Sequence, residues 1–176
     1  MRPPLLLLLA ALAATLPTGL AAARPSAGQI ILSGCRQGGC AWLRVLRVEP
    51  AGRVPQGALV RMRVRRGSST HLDGSLPNRP GQARIEWEPG EGVSYAFCSV
   101  RRPAFAFARQ GEGLLVHFLD LFDLGGYQEA SGRLYMRLCH GRGAVPGAAV
   151  LRRLGYRPGT RSDQVEDATP ETMTRF

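Results

Sequence analysis

Ser68-Ser69-Thr70-His71-Leu72-Asp73 gathers the residue types of a nucleophile, a base and an orienting acid in one short stretch. Hydrolytic chemistry needs those three groups in line, and known triads draw them from separate elements. Residues this close in sequence fit better as a turn-rich loop whose hydroxyls bond neighbouring backbone groups. A small exported hydrolase built on the 67–81 loop with His71 is therefore the alternative reading, and no catalytic residue is expected. The histidines offer a second chemistry: His71 lies near Asp73, His117 near Asp120, and His140 beside Cys139. None has the paired spacing of a ligand-bearing helix, so the expectation is structural imidazoles without metal or cofactor. Glu86 with Glu88, and Asp120 with Asp123, read as exposed acids rather than a glycosidase pair.

A third chemistry lies in the arginines. Ala58 to Arg66 alternates strictly, with Val60, Met62 and Val64 on one face and Arg61, Arg63 and Arg65 on the other. On a strand the members of such a row stand about 7 Å apart. It can serve as a comb for phosphate or carboxylate groups, or simply as a solvated face that discourages edge pairing. Arg101 and Arg102 follow Cys98, and Arg142 follows Cys139, so a bridge between those cysteines would gather them. The candidate anion-binding residues are thus Arg61, Arg63, Arg65, Arg101, Arg102 and Arg142.

Four cysteines, an even number, predict two disulfides in an exported chain. Three pairings are possible, and Cys35–Cys40 with Cys98–Cys139 is favoured. Gly38-Gly39 lets the chain double back between the first pair. The second pair ends two look-alike stretches, Tyr95-Ala-Phe-Cys98 and Tyr135-Met-Arg-Leu-Cys139, read as core strands clipped together at their ends. Neither pair has the spacing of a zinc knuckle. Leu32-Ser33-Gly34-Cys35 resembles a bacterial lipobox, which makes lipid anchoring through Cys35 a minor alternative. Against it, Arg24, Pro25, Ser26 and Gln29 separate the box from the apolar run, and lipidation would leave three cysteines.

That apolar run, Leu5 to Leu16, follows Arg2 and precedes Ala21-Ala22-Ala23, the pattern of a cleaved signal peptide over 1–23. It is shorter than the roughly 20 residues that span a bilayer. The expected location is therefore secreted or periplasmic, with no transmembrane span after processing. All 23 basic residues are arginine against 13 acids, for a net charge of +10. Loss of Arg2 leaves +9, a field that favours an anionic envelope component or another polyanion as partner and disfavours strongly basic ones. A protein partner within an envelope complex is the remaining alternative.

The elements that must position these groups read mainly as strands. They are 30–33, 41–49 with imperfect alternation, 58–66, 84–88, 93–100, 104–108, the start of 114–124, and 133–139. Gln110 to Gly113 reads as a hairpin turn and Ala148 to Leu154 as one short C-terminal helix. Residues 161–176 hold little to bury and are expected to be a disordered tail. The fold class is mainly β: a single antiparallel sandwich or barrel-like domain over 24–160, stapled by disulfides.

Overall fold

A computed structural model describes residues 24–109 and 113–175 of the chain. The expected signal peptide, 1–23, and the 110–112 tip of the expected hairpin lie outside the described residues. Strand outweighs helix, 41% to 17%, so the mainly β expectation holds. The strands are β1 (Ile30–Arg36), β2 (Gly39–Val54), β3 (Gly57–Thr70), β4 (Glu86–Trp87), β5 (Gly92–Cys98), β6 (Ala104–Ala108), β7 (Leu114–Phe118) and β8 (Gln164–Ala168). They form one antiparallel sheet in the order β1-β2-β3-β5-β6-β7-β8, with β4 beside the far half of β3. The helices are α1 (Glu129–His140), α2 (Ala148–Arg153) and α3 (Pro170–Thr174). Helices, rather than a second sheet, cover the two faces.

Alternation along the strands sends side chains to two separate cores. Val45, Met62, Val64, Ala96 and Phe105 face one side, where Leu134, Tyr135 and Leu138 of α1 and Leu151 of α2 pack on them. Leu59, Phe97, Ala106, Val116 and Phe118 face the other, where Met173 of α3 joins them. The central strands are thus buried on both faces, which is why 104–108 and 114–118 are so continuously apolar.

The imperfect alternation of β2 has a local cause. Val45 pairs with Val64 and Arg47 with Arg63, which leaves Leu46 as an extra residue in a β-bulge. The bulge resets the phase, so Leu43, Val45 and Val48 reach the core while Arg44, Arg47 and Glu49 share the opposite face.

Two expectations are corrected. Residues 133–139 are not a strand but the body of α1. A strand would place Arg133 and Arg137 on the same face as Tyr135 and Cys139. Helical spacing instead buries Ser131, Leu134, Tyr135 and Leu138 together and leaves the arginines at the margin. Gly141, at φ 64°, ends the helix in the left-handed conformation that glycine adopts without penalty. Residues 161–175 are not a disordered tail: β8 extends the sheet beyond β7, and α3 buries Met173. Val165, Ala168 and Met173 dock that segment on the core; the rest of its anchorage is backbone pairing, which a composition count does not register.

Both disulfides form as expected, Cys35–Cys40 and Cys98–Cys139, and no free cysteine remains among the described residues. The sulfur of Cys35 is bonded to Cys40 and is not the free thiol that lipid anchoring requires. Cys98 ends β5 and Cys139 lies in the last turn of α1, so the clip joins strand to helix rather than strand to strand. Buried hydrogen bonds reinforce it: the Tyr135 hydroxyl lies 3.1 Å from the Ser99 carbonyl and 2.7 Å from the Tyr156 hydroxyl. Tyr156 in turn meets His140 Nε2 at 2.6 Å. Burial pushes the Tyr156 phenol up to about 12 and holds the His140 imidazole below its ordinary value, helped there by the Arg142 charge.

Removing the Cys98–Cys139 bridge with alanines is expected to cost about 4 kcal/mol, against about 2 kcal/mol for Cys35–Cys40, because the longer loop restrains the unfolded chain more. Urea unfolding of the two double variants beside the parent measures both, and equal losses would overturn the ordering.

Candidate anion-binding surface

The arginine row predicted for β3 is half of a two-strand ladder. Arg44 of β2 stands opposite Arg65, Arg47 opposite Arg63, and Glu49 opposite Arg61. Directly opposed residues share a face with Cβ atoms roughly 5 Å apart, and like charges so placed repel. Two arginine pairs in succession therefore cost stability unless something offsets them. Glu49 does so in part: it takes Arg61 Nε at 2.6 Å and Arg47 Nε at 2.9 Å. Glu91 reaches Arg63 more loosely, at 3.8 Å. The guanidinium of Arg44 lies over the Trp87 ring, 4.4 Å from its centroid, in a cation–π contact. Arg65 makes no ion pair among the described residues. Five arginines thus share this face with two carboxylates. The hydrogen bond from Arg61, with the further charges of Arg47 and Arg63, holds the Glu49 carboxyl below the usual range against the opposing effect of burial.

The ladder lies on the same side of the sheet as the second core but beyond its cover. Tyr95, opposite Arg61 on β5, marks the boundary between the apolar and charged halves of that face. Arg47, Arg63 and Arg65 are all exposed, and exposed ion pairs contribute little to folding. Their partners can therefore be exchanged for an external anion at low cost.

The other predicted residues have different company. Arg101 is exposed, with its backbone N–H on Ser99 Oγ. Arg102 turns to the C-terminal segment: it donates to the Arg175 carbonyl and lies 4.3 Å from the Phe118 ring centroid. Arg142 is exposed beside His140. The bridge brings the chain segments together, but it does not fix where these long side chains point. Arg44, Arg47 and Trp87 join the surface without having been singled out by the sequence pattern. Resuming the alternation of 41–49 after one skipped residue is the signal that finds the two arginines.

The Ser69 hydroxyl does meet His71, just past the end of β3, Oγ to Nε2 at 2.9 Å. However, Trp42 Nε1 donates to the same oxygen at 2.8 Å, and the Asp73 carboxylate is taken by the Ser75 amide and hydroxyl. The contact is a dyad without an orienting acid, and the serine is buried. His117 bonds Ser131 and His140 bonds Tyr156, so each imidazole has its own neighbour. The chain matches no family model, no curated protein and no solved structure, so geometry alone carries the functional reading.

Glu49→Gln is expected to lower the melting temperature at low salt, with the difference closing as salt screens the released arginines. The sign with pH follows: a depressed carboxyl contributes stability above its ordinary value of 4.5 and loses it as pH falls through the lowered value. Thermal melts across salt and pH check both, and a deficit that persists in high salt would point to lost packing instead.

Proposed function

We propose that this protein is an exported, non-catalytic domain that associates with a polyanion or an anionic envelope component through the β2–β3 arginine ladder. The observation that carries the reading is the pairing of Arg44 with Arg65 and of Arg47 with Arg63, a repulsive arrangement that an anionic partner would relieve. The net charge of +10, or +9 after loss of Arg2, adds long-range attraction for such a partner. Two disulfides agree with an oxidising compartment, secreted or periplasmic, and among the described residues no helix is long and apolar enough to cross a membrane.

Binding to heparin, used as a soluble polyanion probe, is expected to weaken steeply with salt. The combined variant Arg47→Gln, Arg63→Gln, Arg65→Gln should bind about tenfold or more weaker, with a salt slope shallower by about one for each arginine that paired with the polyanion. Salt-insensitive binding, or a triple variant that binds like the parent, would overturn the reading; the former points to a protein subunit instead.

The Ser69–His71 contact favours a second reading, a hydrolase. It requires that hydrolysis of p-nitrophenyl acetate above background vanish in both Ser69→Ala and His71→Ala while the folds stay intact. Activity that survives either change removes it.

A further inference from the structure

A separate cleft of about 530 Å³ lies at the β1 edge, between that strand, the 76–80 loop and α1. Its volume falls within the range of small-molecule sites, about 300–1,000 Å³. Its walls are mixed, with the apolar Ile31, Leu32, Leu76 and Pro77 beside polar groups. Leu76 is 55% exposed, a large side chain left uncovered at the mouth. Three arginines, Arg79, Arg133 and Arg137, also line the cleft, and no carboxylate does.

Those arginines are not equivalent. Arg133 is anchored, its Nη2 donating to the Ser33 carbonyl at 3.0 Å and its Nη1 lying 3.8 Å from Glu129. The guanidinium groups of Arg79 and Arg137 make no ion pair among the described residues. The Arg137 head lies close to Gly143, where a Cβ would come within 2.7 Å of its Nη2. Gly143 therefore leaves room that the Arg137 head occupies.

Ile30, Ile31 and Leu32 all line the cleft, although neighbouring strand residues point to opposite faces. The cleft thus runs along the open edge of β1. A peptide adding there as a further strand would meet three obstacles. The β1–β2 pairing shifts register between Leu32 and Gly34, Arg133 already holds the Ser33 carbonyl, and the single turn Pro80–Gln82 packs beside the strand. Those guards favour a compact ligand over an extended chain.

We propose that this cleft binds a small amphiphile, an anionic carboxylate or phosphate head on a linear apolar tail. The head sits between Arg79 and Arg137, and the tail lies along Leu32, Leu76 and Pro77. This site is independent of the arginine ladder and does not rest on its role.

Titration calorimetry of the purified, oxidised protein with octyl phosphate and octanoate tests it. Saturable one-to-one binding of either is expected, and a preference between them identifies the head. Arg79→Gln with Arg137→Gln should weaken binding about tenfold or more by removing charge-assisted hydrogen bonds. The ladder triple variant should bind like the parent. Equal binding of inorganic phosphate, or of octyl glucoside, would overturn the proposal, since either the tail or the charge would then be irrelevant. So would parental affinity in the Arg79, Arg137 variant, or a loss that appears only in the ladder variant.

Discussion

The covalent link between Cys98 and Cys139 fixes the last turn of α1 against the end of β5, and the layered arrangement depends on it. A helix with six buried residues needs a surface, and β5 and β6 supply one through Ala96 and Phe105. Packing alone would hold the two with some freedom to slide. The bridge removes that freedom at one point, and the Tyr135–Ser99 bond removes it one helical turn away. Tyr156 and His140 then tie in the segment that follows α2.

With one side of the sheet committed to α1, the other side is divided. Its β5–β7 half is apolar and covered by α3; its β2–β3 half is charged. The division follows from what each strand has left to cover it. The two long strands of the β2–β3 hairpin, 16 and 14 residues, extend beyond the part that α3 covers, and polar or charged side chains suit the face left open to water. Glu49 moderates the repulsion without cancelling it. Exposed charges of this kind discourage edge-to-edge association of the sheet.

Much of this is legible in the chain. The β3 row shows through strict alternation, the disulfide pairing through glycine placement and the look-alike cysteine segments, and the short helix at 148–153 through its proline and glycine punctuation. The 114–124 stretch, whose spacing also suits a helix, opens with the strand expected at its start and leaves it after Phe118. The two elements that sequence misassigns share a cause. Tyr135 to Cys139 resembles Tyr95 to Cys98 in composition, but composition does not carry period. The decisive signal is the spacing of Ser131, Leu134, Tyr135 and Leu138. Residues 161–175 look tail-like because backbone pairing, rather than apolar content, attaches β8.

By itself, then, the sequence determined the things that depend on near neighbours in the chain: alternation, turn chemistry, the oxidised cysteines and the sign of the charge. Tertiary structure decided which separate segments face each other. One skipped residue at Leu46 puts Arg44 and Arg47 opposite Arg65 and Arg63, and the approach of α1 to the β1 edge brings Arg133 and Arg137 near Arg79. Neither juxtaposition is written in local spacing, because each depends on a register or a packing angle that exists only once the sheet and its helix have met.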